Sequence, residues 1–302
     1  MWFKNLQVFR LPAPWKVDVA QLNTQLASQS FTNCPSHELQ SEGWESPRGN
    51  EELVHNVNGQ LLLTLSNERK LLPSSVINQV TKARAAELEE QQGFAPGRKA
   101  MKDLKERVTD ELMPRAFTVK RSTMIWIDTK NGWLVVDSSS TSKADDVLKM
   151  LLKCDKIPVE NLRVNLSPTT AMTDWLIANE APKGFTIDQD TELRAHTEDK
   201  ATVRYVRHSI DAEDIQKHIA AGKQCTKLAL TWNDKISFVL GDSLAIKRIK
   251  PLDILDEDKD TRAVDKNERF DADFTLMTAE LALMIDDVVY ALGGELEQNK
   301  AA

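Results

Sequence analysis

Two apolar runs, Met124-Ile125-Trp126-Ile127 and Trp133-Leu134-Val135-Val136, flank a short polar stretch that ends in Asn131-Gly132. Asn-Gly accepts positive φ at both positions, so apolar run, Asn-Gly, apolar run is a strong signal for an antiparallel hairpin. β-Branched and aromatic runs of this length read as buried strands, which commits this part of the chain to a sheet. Residues 2–11 carry apolar groups on both faces and read as another buried strand, ended by Pro12 and Pro14. A hairpin turns at Asn58-Gly59 within residues 54–65, and another joins 225–232 to 235–240. Residues 244–249 add a strand bearing Lys247 and Arg248. In residues 201–210, Val203 and Tyr205 alternate with Arg204, and Arg207 and His208 follow: a strand with a basic face.

Helical spacing interrupts these strands. Residues 17–26, 142–153 and 211–221 each read as a helix, the last ended by Gly222. Ser74 or Ser75 serves as N-cap of a helix that runs to Gln92, where Gly93 and Pro96-Gly97 break it. A second helix covers 98–113, with Met101, Leu104, Val108 and Leu112 on one face, so the two form an αα-hairpin. Its apolar stripe is thin, and the pair is expected to project from the body. Residues 32–50 read as a loop in which Trp44 caps a core edge, and 159–187 as mixed, with a strand at 161–166 and a helix opening at Thr173. Near the C-terminus, 270–292 form a helix whose wide apolar face includes Leu281, Met284, Ile285 and Val288. A terminal helix this apolar docks either on its own core or on a second subunit. The fold class is α+β, with mixed or antiparallel sheets, a projecting αα-hairpin and a C-terminal helix.

The αα-hairpin runs into the first sheet hairpin through the corner Pro114-Arg115-Ala116-Phe117, followed by Lys120 and Arg121. Two readings of Phe117 are open: it plugs the local core, or it is held outward as a contact.

Charge narrows the function. The net charge is −7, which argues against a polyanion partner, but it is unevenly spread. Residues 253–302 hold 14 acids and 5 bases, whereas residues 94–121 hold 8 bases and 4 acids. Local field matters more than the total for a polyanion. Arg98, Lys99, Lys102, Lys105, Arg115, Lys120, Arg121, Arg204, Arg207, Lys247 and Arg248 lie on several elements rather than one recognition helix. Such a spread suits a surface that tracks phosphates without reading bases.

Catalytic patterns are missing. The chain has no Walker or dinucleotide glycine loop, no HExxH and no CxxC, and its five histidines are scattered. Ser138-Ser139-Ser140 lacks the strand-turn-helix context of a nucleophile elbow, and Asp256, Asp258 and Asp260 lack the glycine and full ligand set of a calcium loop. No enzyme, cofactor or metal is expected. Three widely separated cysteines, no apolar stretch long enough to span a membrane and no leader-like N-terminus point to a reducing cytoplasm and no membrane partner.

Longer blocks carry a resemblance. WFKNLQVFRL at residues 2–11, LLPSSVINQ at 71–79, LMPRAF at 112–117, MIWIDTKNGWLVVDS at 124–138 and KADDVLKML at 143–151 resemble the RdgC family of bacterial recombination-associated proteins. So do TDWL at 173–176, AGKQCTKLALTWNDKISFVL at 221–240, LAIKRIK at 244–250, RFDADFTLMTAELA at 269–282 and ALGGE at 291–295. The likeness runs essentially end to end. It implies a crescent-shaped subunit of a homodimeric ring around duplex DNA, binding with little sequence preference and limiting RecA-promoted recombination on the nucleoid. The implied division is a central body (1–72 and 122–200), a helical tip (73–121) and a base (201–302). It implies a tip-to-tip contact at Pro114–Phe117 and DNA contacts at Arg204, Arg207 and His208, where the family usually has a lysine-glutamine pair in place of Arg207-His208. The base contact is expected on Leu281, Met284, Ile285 and Val288. The alternative is a protein-interaction module that acts on the recombinase directly, with DNA binding incidental.

Overall fold

The computed structural model describes residues 2–154, 157–207, 212–253 and 265–296. One antiparallel sheet organises them. Its strands are β1 (Asn5–Arg10), β2 (Gln40–Glu45), β3 (His55–Val57), β4 (Gln60–Lys70), β5 (Thr118–Asp128), β6 (Trp133–Asp137) and β7 (Glu160–Asn161). The series continues with β8 (Phe185–Ala195), β9 (Thr202–Tyr205), β10 (Lys223–Trp232), β11 (Ile236–Gly241) and β12 (Ile246–Pro251). The order across the sheet is β2-β4-β5-β6-β1-β12-β11-β10-β8-β9, with β3 beside β4 and β7 beside β1. β1 is the seam: Leu6 pairs with Asp137 of β6 and also with Ile246 of β12.

The seven α-helices among the described residues are α1 (Val19–Ala27), α2 (Ser74–Gln92), α3 (Arg98–Leu112), α4 (Thr141–Cys154), α5 (Pro168–Ala178), α6 (Ala212–Ala220) and α7 (Lys266–Ala291). They cover the sheet unequally. On one face, α5, α6 and α7 set Met172, Leu176, Ile215, Phe274, Met277 and Leu281 against Leu6, Trp126, Leu228, Leu230, Trp232 and Phe238. On the other, α1 and α4 set Leu22, Leu26, Val147 and Leu151 against Leu61, Leu63, Ile125, Ile127 and Val136. That second cluster takes no residue from β8 to β12. Among the described residues, the far half of this face therefore has no helix packed in a buried cluster upon it.

α7 docks on its own core. Leu281, Met284, Ile285 and Val288, expected at a subunit contact, are buried within this chain, so their surface is already taken up intramolecularly. Two indoles anchor the helix from the sheet: Trp133 Nε1 donates to Asp286 Oδ1 (3.2 Å) and Trp232 Nε1 to Asp287 Oδ2 (2.7 Å).

The Asn58-Gly59 turn has φ of 53° and 83°, the primed geometry that the pair was expected to supply. Other expectations needed correcting. Pro73, not a serine, occupies the N-cap of α2, with no side-chain cap bond. β5 is eleven residues long and starts at Thr118, because β4 pairs with it along its whole length down to Lys70↔Thr118. β2 lies inside the stretch read as a loop; β8, an eleven-residue strand, starts at the end of the stretch read as mixed and runs on through residues that carried no assignment. Of the strand expected at 161–166, only the end of β7 and an isolated bridge from Val164 to Glu295 form.

Candidate nucleic-acid interface

The helical pair and the corner come first. α2 and α3 are joined through Gly93, whose φ of 77° closes α2, and Arg84 meets Glu111 across the pair at 3.3 Å. Most of their side chains are exposed; Thr81 and Val108 are the buried ones. α3 gives way to a single 3-10 turn, Met113–Arg115, because Pro114 has no amide hydrogen to continue the ladder. Phe117 follows it at 84% exposure. The outward reading of this side chain is the one the structure has, while the Phe117 carbonyl is tied back by the Leu71 amide at 2.7 Å. Beneath the corner, buried Lys70 donates from Nζ to the carbonyls of Ser36 (2.6 Å) and Met113 (2.9 Å), satisfying a carbonyl at the end of the α3 turn.

The cations fall into two groups. Arg98, Lys99 and Lys102 are exposed on the first turns of α3, where Lys102 faces Glu106 at 3.8 Å, and Arg115 is exposed on the 3-10 turn. Lys120 is bound to Glu45 at 2.6 Å and lies over the Phe31 ring at 4.3 Å, so much of its charge is already answered. Arg121 lines a groove of about 690 Å³ with Arg69, Lys143, Glu42 and Asp146.

The second group stands on the bare half of the sheet. Glu192 of β8 is only 2% exposed, with Arg194, Arg204 and Lys227 gathered around it. Arg204 donates through Nε (3.0 Å) and Nη2, Lys227 through Nζ (2.8 Å) and Thr226 through Oγ1 (3.1 Å). Burial pushes the carboxyl up, but the hydrogen bonds from Lys227, Arg204 and Thr226 outweigh it and hold its pKa at about 2. Next to it, Asp190 accepts the Arg207 amide at Oδ1 (2.9 Å) and the Arg248 guanidinium at Oδ2 (3.3 Å). Arg207 and Arg248 both adopt positive φ, 52° and 56°. They line one open depression of about 440 Å³ with Asp188, Gln189, Asp190, Ala229, Ser237, Phe238 and Val239. Lys247 stands opposite Val239 and Lys250 opposite Ser237, which brings two further ammonium groups to the same strands. His208 lies outside the described residues.

Of the expected cations, then, Arg204, Arg207, Lys247 and Arg248 come together, and Arg98, Lys99 and Lys102 stand apart on α3. Arg194, Lys227 and Lys250 belong with the first set and were not foreseen. Nor were Asp188, Asp190 and Glu192, which organise it. Their signal was present as acids at every second position of 188–192, beside β-branched Ile187 and Thr191.

Glu192 carries a measurable consequence. Glu192→Ala leaves three crowded cations without their carboxylate; because those cations are about half exposed and water can solvate them, the loss is about 1–2 kcal/mol, less than for a fully buried pair. Because the folded-state pKa lies below the ordinary 4.5, the contribution is complete above that value and fades as pH falls from 4.5 towards 2. Urea midpoints should therefore differ most between wild type and variant at pH 7, draw together below pH 4.5 and converge only near pH 2. Curves that stay parallel over that range would show that the ionised carboxylate contributes nothing.

What fold and site define is an α+β protein built on one large antiparallel sheet, one half of a face left bare among the described residues and lined with cations. Comparison with known proteins gives the particular family. The family model described as "Putative exonuclease, RdgC" matches residues 1–295. The recombination-associated protein RdgC of Janthinobacterium sp. (strain Marseille) is 62% identical over 300 residues, covering 99% of this chain and 100% of that one. That of Herminiimonas arsenicoxydans is 62% identical over 296 residues (98% and 99%), and that of Bordetella pertussis 55% over 296 residues (98% and 99%). The chain belongs to the RdgC family. The family model's description carries the word exonuclease, and the relatives' names the word recombination. Among the described residues, no group of three or more His, Cys, Asp or Glu could hold a metal ion, and no helix is long and apolar enough to cross a membrane.

Proposed function

We propose that this protein is a non-catalytic DNA-binding protein that closes as a homodimeric ring around duplex DNA on the nucleoid, holds it without reading sequence, and limits RecA-promoted recombination. The observation that carries this reading is the bare basic half-face, where Arg207 and Arg248 overlook one depression in left-handed backbone conformations. Such conformations are uncommon for non-glycine residues and concentrate where a ligand is held. Cations spread over β8 to β12 match a phosphate backbone, whose charges repeat along a line, better than a base edge.

In this reading residues 73–121 are the tip and 201–302 the base, with the remainder as the body between them. The corner Pro114–Phe117 meets its copy on the partner subunit. The base contact falls to the outward side of α7, where Leu283 and Tyr290 are exposed, instead of the buried four residues.

Titration of duplex DNA against salt tests the proposal. If about 4–8 phosphates are neutralised per dimer, log K falls against log salt with a slope of roughly −4 to −7, whatever the sequence. Arg207→Ala weakens binding on all sequences alike and makes the slope shallower. A slope near zero, or strong preference for one sequence, sinks the proposal. Tighter binding to the recombinase alone than to bare duplex would favour the protein-interaction alternative. Loss of an end label from linear duplex in Mg²⁺ would favour the exonuclease reading.

A further inference from the structure

We infer that Asp190 is a positioning residue for DNA binding: an acid inside a basic surface whose removal weakens the hold on a polyanion. The inference rests on the proposed function and adds to it the group that sets the geometry of Arg207 and Arg248.

The two arginines come from different elements, Arg207 from the segment after β9 and Arg248 from β12. Sequence neighbours do not hold them together, since 41 positions separate them. Asp190 bridges them, one carboxylate oxygen on the Arg207 amide and the other on the Arg248 guanidinium. Each arginine has a backbone conformation that an L-residue leaves readily. At Arg207 the hydrogen bond its amide donates to Asp190 is the contact that offsets that cost. At Arg248 the irregularity in the β11–β12 register accompanies the turn-out of the side chain, and the Arg248 amide reaches Asn5 Oδ1 only at 3.4 Å. The guanidinium is otherwise exposed, so Asp190 is what keeps it over the depression.

Asp188 supplies the control. It lies two residues away on the same strand and lines the same depression, with the same charge, but it accepts from Thr231 Oγ1 (2.8 Å) and holds neither arginine. Simple charge counting treats the two acids alike: removing either should tighten binding to DNA. A positioning role separates them.

The experiment measures affinity and salt slope on one linear duplex for wild type, Asp190→Ala, Asp190→Asn, Asp188→Ala, Arg207→Ala and Arg248→Ala. Releasing one phosphate from its cation weakens binding about five-fold at 0.15 M salt and takes about 0.9 from the slope. The expected result is that Asp190→Ala weakens binding about ten- to twenty-five-fold with a slope shallower by about 2, one phosphate on each protomer. Asp188→Ala instead tightens binding about two-fold. Asp190→Asn keeps an acceptor for the Arg207 amide but loses the charge facing Arg248, so it falls between. It also decides the matter if the alanine variant melts early. Tighter binding by Asp190→Ala or Asp190→Asn, or equal effects at 188 and 190, overturns the inference. If Arg207→Ala and Arg248→Ala bind as wild type, the proposed function itself fails at this face, a distinct result.

Discussion

Phe117→Ser keeps the fold of the wild type and loses its hold on circular DNA. The first half follows from exposure: a side chain 84% open to solvent contributes little packing, and surface changes of this kind stay within about 0.5 kcal/mol. The corner survives because its fixings are elsewhere, in Pro114, in the Leu71 amide on the Phe117 carbonyl and in the Lys70 ammonium on Met113. The second half follows from the proposed ring. Burying a phenylalanine is worth about 1.5–3 kcal/mol, and a two-fold contact supplies it twice. Losing about 3–6 kcal/mol shifts a closed gate towards open by about two to four orders of magnitude. Retention on circular DNA after a high-salt challenge should fall by at least about a hundred-fold, whereas equilibrium affinity for short linear duplex changes little. Wild-type retention by a folded Phe117→Ser protein would rule out closure at this corner.

Removing α7 has the largest effect of all. A chain that stops before Asp265 should not fold. The helix buries Phe274, Met277, Leu281, Met284, Ile285, Val288 and Val289 against the sheet. At about 1.5–3 kcal/mol each, seven such side chains amount to about 10–20 kcal/mol, as much as the whole stability of an ordinary domain. Truncation also strips the indole donors of Trp133 and Trp232 of their carboxylates. The truncated protein should show no cooperative thermal transition and should bind a hydrophobic dye. A cooperative melt with native near-UV dichroism would mean that the sheet stands without this helix. Leu281→Ala gives a graded version, costing about 2–5 kcal/mol with the fold retained.

The parts of this architecture that were legible in the sequence are those where one physical demand acts alone. Asn58-Gly59 announced its hairpin because few other pairs accept positive φ at both turn positions, and Gly132, at φ 74°, marks the end of the longer loop between β5 and β6. Pro114 and Gly93 announced the ends of α3 and α2 for equally local reasons. β8 escaped because its inner face is weakly apolar: in FTIDQDTELRA the acids Asp188, Asp190 and Glu192 alternate, but Gln189 and Thr191 stand between them where an apolar run would have marked a strand. β2, at the sheet edge with QSEGWE, was hidden for a related reason, since Gly43 is there to let the Phe31 backbone pass within reach. The weak pattern of β8 hid half of the candidate site. Cations could be counted along the chain, but which of them meet depends on β8 and its three carboxylates. The helix face at Leu281–Val288 was correctly read as buried apolar surface; periodicity alone does not say whose core it enters.

The position of β1 bears on how the chain is made. One edge of its six residues pairs with β6 and the other with β12, about 240 residues later in the chain. At about 5–20 residues per second, that second edge waits about 12–50 s for its partner strand to be synthesised. Through this interval the nascent chain presents a strand that is apolar on both faces and, apart from the Phe9–Arg10 pairing with β7, unpaired along one side. Cellular yield should accordingly depend on whatever shields that edge during synthesis, and refolding from denaturant should be slow, as for other topologies whose defining contact closes a loop nearly as long as the chain.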